Sequence, residues 1–214
     1  MDYFNLPQNT IVKRVVPKNS FDSYTNSKQK EAFTKDIAKI VWNNKLSKES
    51  TNLSGKDILE IQIFTIELNE KKDITTLLNI IDKAIPYHII FVVEFENSVY
   101  ILTSSKHTSP LNDTKSVIDW TFKSDWHNKT EKRYTLELKR DLDHVFYEFC
   151  QQLSLISSNK IKSINDLVQY NSQISALTKE IEQTKRSIAS CLQFNKKVEL
   201  NLKLKQLEDK LDNL

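Results

Sequence analysis

The sequence predicts an α+β protein: a small, mostly antiparallel sheet flanked by helices, followed by a coiled-coil or helical-hairpin tail. Three observations carry this. Leu77–Phe95 is the densest apolar run and reads as a helix entering a buried strand. Ile58, Leu59, Ile61, Ile63, Ile66 and Leu68 are largely β-branched and partly alternate with Glu60, Gln62 and Glu67, as in a strand with one face at least partly solvated. From Ser163 on, apolar residues recur three and four apart. The boundaries that follow are a globular domain over 1–157, a linker over 158–162 and a helical tail over 163–214.

Taken in order, residues 1–26 are irregular, with Pro7 and Pro17 bracketing an extended arm at Ile11-Val12 and Val15-Val16. Ser27 is a candidate cap for a helix through Val41-Trp42, with Phe33, Ile37, Ile40 and Val41 at helical spacing. Asn43–Gly55 is polar and is expected to be a loop. Asp73 is a candidate N-cap for a helix that Pro86 should end near Ala84. Tyr87–Glu94 and Val99–Leu102 then form a hairpin about Glu96-Asn97-Ser98, with Asn97 suited to positive φ. Ser104–Ser116 is expected to be a disordered loop, Val117–Phe122 a short strand and Arg133–Leu138 an extended return. Asp141–Leu155 closes the domain as a helix burying Leu142, Val145, Phe146, Phe149 and Leu153. Ser157-Ser158-Asn159 marks the boundary, and the S-x-x-K formed with Lys160 lies on a linker without supporting motifs.

The tail carries two apolar stripes. Leu167, Tyr170, Ile174, Leu177, Ile181, Thr184, Ile188 and Cys191 form the first, and Leu200, Leu204, Leu207, Leu211 and Leu214 the second. They are out of phase, so the chain either continues as one helix that changes partners near Phe194 or folds back there. The lack of Gly or Pro at that point favours a continuous helix. In either form so narrow a stripe calls for a covering partner or a second copy. The expected partner-binding residues are Leu167, Ile174, Leu177, Ile181, Ile188, Leu200, Leu204, Leu207 and Leu211, and Leu177→Glu is expected to abolish association.

Composition narrows the function. Gly55 is the one glycine among 214 residues, so glycine-dependent phosphate loops, dinucleotide-binding turns and nucleophile elbows are excluded. Net charge is +3. Residues 160–214 hold ten Lys/Arg and seven Asp/Glu, so the excess lies in the tail and falls short of a nucleic-acid-binding stripe. No run approaches about 18 consecutive apolar residues, so no membrane span is expected. Met1–Asn5 does not read as a secretory signal, and two cysteines, Cys150 and Cys191, fit a reducing cytoplasm. The four histidines lack metal-ligand spacing, and no metal or cofactor is expected. His88, at the mouth of the central strand, reads as structural.

The best catalytic arrangement is nuclease-like: Asp119, then Glu137 and Lys139 as an acid-x-lysine on the next extended segment, which could gather a divalent metal. The same triplet recurs at Glu70/Lys72, Asp113/Lys115 and Glu208/Lys210, so a solvated face competes with it. Trp120, Trp126 and Tyr134, interleaved with Lys123, Lys129, Lys132 and Arg133, could stack on and neutralise nucleic acid, and Lys196 and Lys197 could touch phosphate. Asp119, Asp125 and Glu131 dilute that charge.

Ile80–Phe91, with Pro86-Tyr87-His88 at its centre, resembles the bacterial family called domain of unknown function 4391, as do Ile40–Leu46, Val16-Pro17-Lys18 and Gln193–Asn201. These pieces span nearly the whole chain. The resemblance implies no catalytic residue. It implies a setting in phage-defence regions beside helicases, DNA methyltransferases and restriction-type genes. The expected function is a non-catalytic adaptor of such a system, in a helicase or methyltransferase complex. A metal-dependent nuclease and a direct nucleic-acid binder are the alternatives.

Overall fold

The computed structural model describes residues 3–109, 112–131, 133–154, 156 and 161–214. The proposed boundary at Ser157-Ser158-Asn159, the S-x-x-K there and Lys132 lie outside them, as do the side chains of Asp113 and Lys115. Two compact units divide near Ile164.

The first unit is built on a seven-stranded sheet. Its strands are β1 (Ile11–Val15), β2 (Ile37–Ser47), β3 (Glu60–Leu68), β4 (His88–Phe95), β5 (Ser98–Ser109), β6 (Asn112–Lys123) and β7 (His127–Asn128). Six lie in chain order across the sheet, and β7 pairs with β5. Among the described strands only β3 and β4 pair in parallel. A parallel neighbour needs a crossover, and helix α3 (Thr75–Ala84), which ends two residues before Pro86, supplies it. The N-cap position is Ile74 rather than Asp73, which stands one residue before it and still accepts from the Thr75 amide at 2.9 Å.

Helices α1 (Ser27–Asp36) and α3 cover one face of the sheet. Phe33, Ile37, Ile40, Phe64, Ile66, Leu78, Ile81, Phe91 and Leu102 form one buried cluster there. Helix α4 (Leu142–Ser154) buries Leu142, Val145, Phe146, Phe149 and Leu153, with Phe146 edge-on to His88 and Phe149 edge-on to Phe4.

The sheet is larger than the sequence suggests, for local reasons. The stretch expected as one helix from Ser27 to Trp42 breaks at Ile37, where β-branched residues pair with β3 and the helix passes into β2 without a loop. Ile37 and Ile40 are buried in either conformation, so helical spacing could not separate them. Asn26, not Ser27, is the N-cap, in a capping box with Gln29. The expected loop at Asn43–Gly55 begins as the end of β2, followed by the short α2 (Lys48–Thr51). Ser104–Ser116, expected as a disordered loop, belongs largely to β5 and β6. Arg133–Leu138 pairs with no strand among the described residues. In the two-residue β4–β5 turn, positive φ falls on Glu96 (50°) rather than Asn97.

Gly55 has a steric role. A Cβ there would lie 1.9 Å from the carbonyl oxygen of Ile58. The tight loop lets three successive amides, of Lys56, Asp57 and Ile58, donate to the Asp143 carboxylate at 2.6, 3.0 and 3.0 Å. This clasps α4 to the start of β3. Gly55→Ala should therefore cost roughly 2–4 kcal/mol, read as a lowered urea midpoint.

The second unit consists of α5 (Ile164–Ser190) and α6 (Phe194–Asp212). Lys185 pairs with Glu208 at 2.9 Å and Lys203 with Glu180 at 2.7 Å. Residues 23 apart cannot meet along one helix, so the chain folds back through Cys191-Leu192-Gln193 into a helical hairpin. A continuous helix, which the missing Gly and Pro favoured, is not formed.

Candidate functional site

The hairpin decides what the two apolar stripes can do. Opposed stripes on one straight helix become facing stripes once the helix folds back. Ile181, Thr184 and Leu207 are buried, and Ile174, Leu177, Ile188, Leu200, Leu204 and Leu211 are half-buried. Leu167 is fully buried. Most of the expected partner-binding residues thus serve the seam within the hairpin. The open apolar surface lies elsewhere. Leu192 at the tip is fully exposed, and Phe194, Val198 and Leu202 on α6 are 79%, 43% and 60% exposed. The last three are spaced by four, which aligns them on the side of α6 turned away from the seam. A register continued from the first stripe points to Val198 and Leu202, but Leu192 and Phe194 depend on the turn.

The nuclease-like residues are drawn to other partners. Asp119, on β6, meets His107 Nδ1 at 2.8 Å. Glu137 and Lys139 pair with each other at 2.7 Å, on the surface before α4. Their hydrogen bond holds the Glu137 carboxyl below its usual range and the Lys139 ammonium above it. The triplet at Glu70/Lys72 closes on itself in the same way, at 3.3 Å. Among the described residues, no three His, Cys, Asp or Glu side chains gather as a metal ion would require.

The aromatic residues suggested for nucleic acid are partly occupied. Trp126 stands edge-on to the buried Tyr100, with Lys71 over its ring. Tyr134 packs edge-on to His127. Arg133 pairs with Glu131. Lys196 and Lys197 are exposed in the first turn of α6.

The strongest electrostatic feature was not apparent in the sequence. Lys106, on β5, is buried with its ammonium 2.8 Å from Asp82 Oδ1. It also donates to the carbonyls of Asp82 and Ile85, at 2.6 and 2.7 Å, in the last turn of α3. All three of its N–H groups are used, and they cap the helix end whose dipole favours a cation. Burial pushes the ammonium pKa down and the Asp82 carboxyl up, each opposed by its partner. Asp82 Oδ2 is buried without a hydrogen-bond partner among the described residues. His88, at the start of β4, is lowered to about 4, chiefly by burial and then by the Lys106 charge, with Asp143 opposing. The carboxylate and ammonium are sealed from solvent, so the cluster holds α3 on β5 and offers no site to a substrate. Lys106 escaped notice because Ser104-Ser105-Lys106-His107 is as polar as a loop.

No helix of the described residues is long and apolar enough to cross a membrane. Searches of curated proteins and of solved structures return no match. The family described as domain of unknown function 4391 matches residues 4–211, and the chain belongs to that family.

Proposed function

We propose that this family member is a non-catalytic assembly subunit that holds a protein partner, or a second copy of itself, through its C-terminal helices. The observation that carries the reading is the exposed apolar set Leu192, Phe194, Val198 and Leu202, on a hairpin whose stripes are turned toward each other. Large apolar side chains gathered on an exposed helix face mark interaction surfaces more often than isolated ones do. The family resemblance adds the setting: a bacterial defence or restriction-modification system, in the cytoplasm, with a helicase or methyltransferase as the partner.

The test is a double charge substitution, Phe194→Glu with Leu202→Glu, in the full-length chain. Both residues are exposed, so helix content and Tm should stay unchanged. Light scattering should show any homo-oligomer dissociate, and affinity capture from the native host should lose its helicase or methyltransferase partner. An unchanged assembly would refute the role of this surface. Leu177→Glu is a poorer test, because it places a charge in the hairpin's own seam.

A further inference from the structure

The open part of the sheet's second face, beside α4, holds a groove of about 720 Å³. Small-molecule sites commonly enclose about 300–1,000 Å³. Irregular strand pairing shapes this one. The β1–β2 register shifts between Ile11 and Arg14, and the β2–β3 register shifts between Ile37 and Lys39 and again between Trp42 and Asn44. Lys13 and Asn43 are extra residues at two of these shifts and Lys39 directly follows the third, and all three line the groove. Bulges re-aim side chains in this way and concentrate next to functional sites. Lys13 takes a left-handed φ of 50°, and Asn5 on the same lining takes 52°. Glycine would adopt the Lys13 conformation without strain, yet the position carries an ammonium.

The charges are unequally satisfied. Lys129 pairs with Glu94, and Asn43 donates to Thr65. Lys13 and Lys39 have no hydrogen-bond or ion-pair partner among the described residues, nor does Glu67, which stands opposite Lys39 in the β2–β3 register. Leu6, Ile11, Val15 and Val41 give the groove an apolar component, and no aromatic ring lines it. Bases would therefore find no stacking platform.

We propose that this groove binds a small, non-aromatic anion bearing phosphate or carboxylate groups. Lys13 and Lys39 hold the anionic group. Asn43 and Thr65 hydrogen-bond the polar body, and Glu67 accepts from a hydroxyl or amino group on it. The site shares no residue with the hairpin surface and does not depend on the assembly role.

The experiment is a titration of the ¹⁵N-labelled full-length protein with inorganic pyrophosphate and, separately, with citrate, at constant ionic strength. Saturable amide shifts in Lys13, Asn43 and Thr65 are expected with at least one probe. Which probe binds tells phosphate from carboxylate chemistry. Lys13→Ala with Lys39→Ala should weaken binding by about tenfold or more, as two charge-assisted hydrogen bonds are lost. Lys13→Gly should raise Tm while weakening binding, because it relieves the backbone and removes the ammonium. Silence with both probes, shifts scattered over surface lysines, or affinity unchanged in either variant would overturn the proposal.

Discussion

Lys106→Met should lower the unfolding free energy by about 3–5 kcal/mol, which for a chain of this size is a fall in Tm of roughly 10 °C or more. The cause is what the ammonium leaves behind. Asp82 would keep its burial without its counter-charge, and the carbonyls of Asp82 and Ile85 would lose their donor. The carboxyl would then take up a proton rather than stay charged in an apolar site. Asp82→Leu combined with Lys106→Met should recover much of the loss, because an apolar pair carries no desolvation penalty. Recovery should be incomplete, since the two carbonyls remain without Lys106. Thermal unfolding followed by circular dichroism gives all three values. If the single variant unfolds within about 1 kcal/mol of the parent, water reaches the pair and the sealed description is wrong.

The second large effect is a pH dependence. His88 has a folded pKa of about 4, whereas an unfolded chain titrates near 6.5. Below pH 6.5 the unfolded state therefore binds a proton that the folded state refuses. Stability is full above about pH 6.5 and declines until about pH 4, where the folded state also protonates. Over that window the linkage amounts to about 3 kcal/mol. His88→Gln should remove this component, so the stability difference between parent and variant must change with pH across it. Urea unfolding of both proteins at pH 7 and pH 4.5 measures it. A pH-independent difference would mean that His88 is solvated in the folded state.

Much of the architecture could be read from local pattern. The β3–α3–β4 unit was legible because its apolar residues leave no other use for them, and Pro86 dates the end of the helix. Helix α4 was legible from Leu142, Val145, Phe146, Phe149 and Leu153. Errors fell where one pattern fits two structures. Phe33, Ile37 and Ile40 are buried whether Ile37 continues a helix or begins a strand, and only pairing with β3 decides. Ser104, Ser105 and Lys106 are polar yet buried, with Ser104 against Thr121 at 3.2 Å and Lys106 against Asp82 at 2.8 Å. Composition cannot distinguish that from a loop. The groove was illegible for a further reason. The register shifts at Lys13, Ala38 and Asn43 exist only as misfits between two strands, and neither strand encodes them alone. In the tail both stripes were visible, but the exposed Leu192 and Phe194 follow from a turn that carries no Gly or Pro.

The strand order has a consequence for how the chain finds its structure. Because β1 to β6 lie in the order in which they are strung, the pairings stay within limited sequence separations, the widest among the described strands being the 33 positions between Ile11 and Asn44. Short loop closures precede the rewards of pairing, a condition associated with fast folding. The β4–β5 turn, with two connecting residues, closes the smallest loop and gives growth a place to start. The clasp of Asp143 on Lys56, Asp57 and Ile58 spans more than 80 residues and belongs at the other end of the sequence of events. Changes near Glu96 should then appear in the rate of folding, and changes at Gly55 in the rate of unfolding.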